Sequence, residues 1–193
     1  DQERVDKGVA YVHAEIDKLA AKGRVSADGV NRLKGLITGS TTKDGFADAD
    51  FVIEAVFEEM SVKKTVWAEV EQIVTPECVL ATNTSSLSIT EIAKSTKEPS
   101  RVIGMHFFNP APVLPLVEVI HLLLTDVKLV EDVRELAVRL GKKPVVVGDR
   151  AGFVANALLI AYLARSIRAY ETGLASREDL DAAMAAGVGF PMG

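Results

Sequence analysis

The feature that most constrains this chain is a succession of short, wholly apolar runs set between segments of helical period. Phe51-Val52-Ile53-Glu54-Ala55-Val56, Cys78 to Thr82, Arg101 to Phe108, Leu116 to Ile120 and Pro144 to Val147 read as strands. Residues 61–73, 89–95 and 130–140 read as helices between them. Strands alternating with amphipathic helices build βαβ units and a largely parallel sheet. Such a sheet is covered on both faces, so its strands are apolar throughout instead of alternating. Upstream, Val5, Val9, Val12, Ile16, Leu19 and Ala20 repeat at helical spacing until Gly23. Ser26 is placed to cap a second helix to Lys34, and Leu36 to Ser40 predicts a short strand. After Asp149 the strands stop. Residues 153–171 form one long apolar helical segment ended by Gly173, and Ser176 starts another with Glu178 and Asp179 in its first turn. The order predicts an α/β domain over residues 1–149 and the start of an all-helical domain over 150–193.

Charge and composition narrow the function. The 193 residues carry 22 basic and 27 acidic side chains, a net charge of -5, with no Lys/Arg block. Such a surface repels nucleic-acid phosphate, so nucleic-acid binding is not expected. No segment approaches the roughly 20 apolar residues that span a bilayer, and no membrane role is expected. The single cysteine, Cys78, forms no intrachain disulfide and fits a small buried residue at the start of a strand in a reducing compartment. Asp1 to Asp6 has no signal-peptide character. The chain begins without Met inside a helix and stops at a turn, so both ends read as cut.

Four segments carry candidate chemistry. Asn83-Thr84-Ser85-Ser86-Leu87 follows a strand, at the end of an α/β sheet where ligands bind. Its hydroxyls fit equally a ligand cradle or a helix N-cap. His106 lies near the end of a strand, before Asn109-Pro110, and suits proton transfer near neutral pH, although a lone histidine is also a common structural residue. Glu118 is an acid within an apolar strand. It either points to solvent from an edge or is buried and needs a partner, for which His106 is a candidate. Asn156 interrupts the apolar face at the start of the long helix, near the domain junction where clefts form. His121 lacks such a setting and reads as structural. There is no metal-ligand cluster, no G-x-S-x-G and no Walker loop. There is no G-x-G-x-x-G either, since Gly187-Val188-Gly189 follows helices and not a strand.

Taken in order, Asn83-Thr84-Ser85-Ser86-Leu87, His106-Phe107-Phe108-Asn109-Pro110, Leu116-Val117-Glu118-Val119, Gly152-Phe153 with Asn156, and Gly189-Phe190-Pro191-Met192-Gly193 resemble the 3-hydroxyacyl-CoA dehydrogenases over nearly the whole chain. The resemblance implies a Rossmann-type NAD-binding domain followed by a helical domain that forms a homodimer. It implies oxidation of L-3-hydroxyacyl-CoA to 3-ketoacyl-CoA, or the reverse reduction of acetoacetyl-CoA, in fatty-acid β-oxidation or butanoate metabolism. By the same resemblance His106 is the general base and Glu118 orients it. Ser85 and Asn156 bond the reacting oxygen. Glu58, Lys63, Asn83 and Asn109 lie on the cofactor side, and Lys22 contacts CoA phosphate. The compartment implied is a bacterial cytoplasm or a mitochondrial matrix.

The chain also departs from that pattern. The first strand, its glycine-rich turn and the ribose-binding acid are expected ahead of Asp1. Ala157 stands where the family commonly has Arg, and residues 121–129 differ from the usual loop. NAD is the expected cofactor, and NADP stays open because the ribose-binding segment that selects between them is absent. Dehydrogenases of the 3-hydroxyisobutyrate or 6-phosphogluconate type use a lysine-centred site, against which His106 and Glu118 argue. Two other readings stay open: an idle nucleotide- or CoA-binding protein derived from the family, as in lens crystallins, and one part of a multifunctional fatty-acid oxidation protein.

Overall fold

The computed structural model describes residues 1–191. Its Cα packing divides the chain into two compact units, one of residues 1–49 with 72–76, the other of residues 50–71 with 77 onward.

The first unit is built on helices α1 (Gln2–Ala21) and α2 (Ala27–Gly35). The Asp1 carboxylate accepts from the Arg4 amide at 2.9 Å, and Ser26 Oγ accepts from the Gly29 amide at 3.2 Å. Each thus satisfies a donor that the helix start leaves open. The helix α1 ends where Gly23 turns to a φ of 69°. The strand expected over Leu36–Ser40 does not form. Apolar character is not sufficient for a strand, which needs a neighbour to complete its ladder. Here Ser40 Oγ donates to the Thr42 carbonyl at 2.9 Å and accepts from the Thr42 amide at 3.0 Å, so the chain turns.

The second unit holds a five-stranded sheet in the order β1 (Phe51–Glu54), β2 (Val79–Thr82), β3 (Val102–Phe107), β4 (Leu116–His121) and β5 (Lys143–Gly148). The pairs β1–β2, β2–β3 and β4–β5 are parallel and β3–β4 is antiparallel. The exception follows from connection length. A parallel return needs a dozen or more residues, whereas only residues 108–115 separate β3 from β4. The first strand is shorter than its apolar run, because the Val56 amide leaves the ladder to donate to the Glu54 carboxylate at 2.7 Å.

Helices α3 (Met60–Val70), α4 (Ile89–Ala93) and α5 (Val127–Arg139) connect the strands. The last begins three residues before the apolar period does, because Asp126 caps it by accepting from the Lys128 amide at 2.7 Å. Leu80, Ala81, Ile103, Met105, Val117 and Val119 are fully enclosed, with Val133 and Ala137 of α5 packed on the strands. Each large aliphatic chain so buried contributes about 1.5–3 kcal/mol. Gly104 in β3 is required by close approach, since a Cβ there would collide with Ile89 of α4 and Ile120 of β4. Helices α6 (Ala155–Glu171) and α7 (Arg177–Ala182) follow, and a π-helical turn over Ala183–Val188 ends at Gly189 with φ 76°. Met192 and Gly193, the end of the fifth motif, lie outside the described residues.

Candidate active site

The antiparallel ladder sets His106 directly opposite Glu118. Cross-strand partners on one face hold their Cβ atoms within about 5.5 Å, so register alone brings imidazole and carboxylate together. His106 Nδ1 lies 2.8 Å from Glu118 Oε2, and both side chains are enclosed, at 5% and 1% exposure. A carboxylate only accepts, so Nδ1 is the donor of this pair and Nε2 faces away from Glu118. The ring packs against Phe108 and Phe153, at centroid distances of 4.4 and 5.6 Å.

The other Glu118 oxygen has a separate task. Oε1 accepts from the amides of Val154 at 3.0 Å and Ala155 at 2.9 Å. These are donors that open the helix α6, whose own N-cap residue, Val154, gives no side-chain cap. A carboxylate at a helix N-terminus also suits the helix dipole. Glu118 is therefore the cap of α6 and the anchor of His106 at once. The turn that makes this possible is Gly152-Phe153, at φ 73° and 51°. The Phe153 conformation costs an L-residue about 1–2 kcal/mol, and its ring is buried beside His106.

Asn156 stands in the first turn of α6, and its Nδ2 reaches the Ser85 carbonyl at 3.4 Å. Ser85, Ser86, Ala151, Gly152, Asn156 and Ala157 line an open cleft of about 670 Å³, continued along α6 by Ile160, Ala161 and Ala164. The cleft wall is apolar apart from its serine and asparagine end.

Glu58 shapes the serine turn from below. Its Oε1 accepts from Thr84 Oγ1 at 2.6 Å, the Ser85 amide at 2.7 Å and the Ser86 amide at 3.1 Å. Burial pushes the Glu58 carboxyl up, but the bonds from Thr84 and Ser85 and the Lys63 ammonium outweigh it and hold it below the usual carboxylate range. Asn83 Oδ1 accepts from the Phe107 amide at 2.9 Å, tying the end of β2 to the end of β3. Asn109 is exposed just beyond β3, ahead of a cis bond to Pro110. Lys63 is enclosed, 2.7 Å from Glu54 and 3.3 Å from Glu58. Lys22 caps the C-terminus of α1 in the first unit and is exposed. Cys78 is enclosed ahead of β2, and burial pushes its thiol up. His121 is half-buried, with Nδ1 at 3.2 Å from the Leu122 carbonyl.

Two residues were not legible as parts of this site. Glu54 is a buried acid in an apolar strand, the same signal as Glu118. Asp149 accepts from Ser88 Oγ at 2.9 Å and the Thr90 amide at 2.7 Å, and so fixes the start of α4 behind the serine turn. Nothing in its local sequence marks it. Among the described residues no cluster of His, Cys, Asp and Glu is arranged to hold a metal, and no helix is long and apolar enough to cross a membrane.

The strand ends meet one half of a dinucleotide's needs. Glu58, Asn83 and Asn109 lie beyond the C-terminal ends of β1, β2 and β3, the edge of an open α/β sheet outside which ligands bind. The pyrophosphate cradle, a G-x-G-x-x-G turn, does not occur in the 193 residues.

Comparison with known proteins agrees. The family model described as 3-hydroxyacyl-CoA dehydrogenase, NAD binding domain, matches residues 1–150, and the C-terminal domain of the same family matches residues 152–193. A 3-hydroxybutyryl-CoA dehydrogenase of Mycobacterium tuberculosis is 46% identical over 180 residues, covering 92% of this chain and 63% of its own length. A 3-hydroxyadipyl-CoA dehydrogenase of Escherichia coli is 40% identical over 191 residues, covering 99% of this chain and 40% of its own. The crystal structure of (S)-3-hydroxybutyryl-CoA dehydrogenase from Ralstonia eutropha superimposes with a TM-score of 0.94 at 37% identity, covering all of this chain and 68% of that one. The chain thus spans about two thirds or less of the length of these relatives. With a Rossmann-like, mostly parallel sheet, the paired His106 and Glu118, and both family models matched, the chain belongs to the 3-hydroxyacyl-CoA dehydrogenase family.

Proposed function

We propose that this chain carries the catalytic centre of an NAD-dependent dehydrogenase that interconverts L-3-hydroxyacyl-CoA and 3-ketoacyl-CoA. The observation that carries the reading is the enclosed 2.8 Å pair of His106 Nδ1 and Glu118 Oε2. It leaves Nε2 as a base of fixed orientation, on the side of the ring away from Glu118.

In the oxidative direction His106 Nε2 takes the proton of the 3-hydroxyl as the C3–H bond breaks and the C–O bond becomes a carbonyl. NAD, when bound, supplies the hydride acceptor. Glu118 stabilises the imidazolium that forms, and its two bonds to α6 keep it from moving as charge develops. Ser85 and Asn156 hydrogen-bond the oxygen that changes from hydroxyl to carbonyl, where fixed donors and acceptors contribute most because they need no reorganisation. Glu58, Asn83 and Asn109 form the cofactor side and Lys22 meets CoA phosphate, while Lys63, expected there too but enclosed at 1% exposure, acts through its contact with Glu58. The apolar wall of Ala157, Ile160 and Ala161 suits an acyl chain.

The domain division that goes with this reading is residues 1–149 for cofactor binding and 150–193 for the start of a helical domain through which two copies associate. The compartment is a bacterial cytoplasm or a mitochondrial matrix. The test is oxidation of NADH by acetoacetyl-CoA with the full-length protein, with NADPH in parallel. Turnover with either nucleotide supports the reading. No turnover across short and long 3-ketoacyl chains favours the idle nucleotide- or CoA-binding protein.

A further inference from the structure

A buried ion network lies against the serine turn, and the proton-transfer chemistry makes no use of it. Lys63 in the first turn of α3 is wholly enclosed. Its Nζ donates to Glu54 Oε1 at 2.7 Å and lies 3.3 Å from Glu58 Oε2. Glu54, 4% exposed, also accepts from the Val56 amide at 2.7 Å and from Thr82 Oγ1 at 2.7 Å. The ammonium therefore sits between two carboxylates. One is locked into β1 and β2 by two further bonds. The other has given its Oε1 to Thr84, Ser85 and Ser86, and only Oε2 is left for the lysine.

A buried lysine is costly unless paired, and a neutral apolar pair often fills the same space at no loss of stability. Neutralising Glu54 alone therefore does not require Lys63. The division of the Glu58 oxygens gives the lysine a second task. It holds one oxygen of a partly exposed carboxylate in place so that the other meets the main chain of the serine turn. With a side-chain exposure of 1%, Lys63 offers no surface to a ligand.

We propose that Lys63 and Glu54 are positioning residues, acting through Glu58 to fix the backbone at Ser85. The proposal rests on the assignment of Ser85 to the reacting oxygen. A residue that must hold an oxygen within a few tenths of an ångström needs its own supports locked. The sheet supplies the fixed point at Glu54, the ammonium transmits it, and Glu58 delivers it to two consecutive amides.

The experiment is amide hydrogen exchange across residues 83–87 together with steady-state acetoacetyl-CoA reduction, both on the full-length protein. Three variants are compared: Lys63→Met, the double variant Glu54→Gln/Lys63→Met, and Glu58→Ala. Exchange at the Ser85 and Ser86 amides is expected to rise by about tenfold in all three, as loss of bonds to a charged acceptor predicts. In the Lys63→Met and double variants kcat should fall by about tenfold while the KM for NADH changes by less than about threefold. The double variant is decisive, because it leaves no unpaired buried charge. If it returns exchange and kcat to wild-type values, Lys63 merely neutralises Glu54 and the proposal is overturned. Unchanged exchange in Glu58→Ala, which leaves the buried pair intact, overturns it as well. A wild-type protein without dehydrogenase activity overturns the functional reading alone, since the exchange measurement needs no substrate.

Discussion

Two carboxylates lie buried in the same sheet, Glu118 on β4 and Glu54 on β1, and they do different things. Both sit in apolar strands and each accepts three hydrogen bonds. Glu54 meets the Lys63 amine at 2.7 Å and is held in the sheet by the Val56 amide and Thr82 Oγ1 as well. Glu118 meets an imidazole, which can take up and release a proton during reaction, and two backbone amides of α6. The partner therefore decides the role. An acid paired with lysine anchors its neighbours, whereas an acid paired with histidine can stabilise a charge that appears only during reaction.

Substitutions at these two acids sharpen the contrast. Glu118→Gln is expected to have the largest effect. Its carbonyl remains on the α6 amides, so its NH2 faces His106 Nδ1, which must then accept. The ring proton moves to Nε2 and the base is blocked. We expect kcat for oxidation of 3-hydroxybutyryl-CoA to fall by about 10²–10⁴-fold, as for loss of a positioned general base, with His106→Ala falling by at least as much. Glu54→Gln should lower kcat by about tenfold only, because it loosens a support and leaves the base intact. Equal losses at the two positions break the distinction.

Gly152→Ala tests the link between Glu118 and α6. Residue 152 lies at φ 73°, and an added Cβ would stand 2.8 Å from the Ala157 nitrogen. Strain of about 2 kcal/mol corresponds to a Tm lower by about 4–8 °C in a chain of this size, read by thermal unfolding. An unchanged Tm contradicts the required backbone turn.

The smallest effect is a pH dependence at Glu58. Its carboxyl is held below its ordinary value of 4.5 in the folded chain. Such a group contributes stability that is fully present above the ordinary value and lost as pH falls through the lower, folded one. The stability difference between wild type and Glu58→Gln should therefore be constant above about pH 5 and shrink only in more acid solution, as measured by urea denaturation at stepped pH.

Much of this was legible in the residues. The alternation of apolar runs and helical segments is local information, and it announced the sheet and most helices. The His106–Glu118 partnership was legible because a buried acid demands a partner, whereas the antiparallel register that sets the two opposite each other was not announced by the residues. Glu54 gave the same signal in Phe51–Val56, yet its partners come from α3 and from β2, and no local pattern announces that arrangement. Leu36–Ser40 erred in the other direction. Its composition suits a strand, but a strand exists only where another strand pairs with it. The family resemblance makes Lys63 a ligand contact, and only its enclosure between two acids points to an indirect role.

The central claim is that Glu118 holds the neutral His106 ring with its proton on Nδ1 and Nε2 open. Nitrogen-15 NMR of the labelled imidazole tests it most directly. The account predicts a protonated Nδ1 and a bare Nε2 in the neutral ring of the wild type, with the two exchanged in Glu118→Gln. A neutral ring protonated at Nε2 in the wild type, or one indifferent to Glu118→Gln, would contradict it.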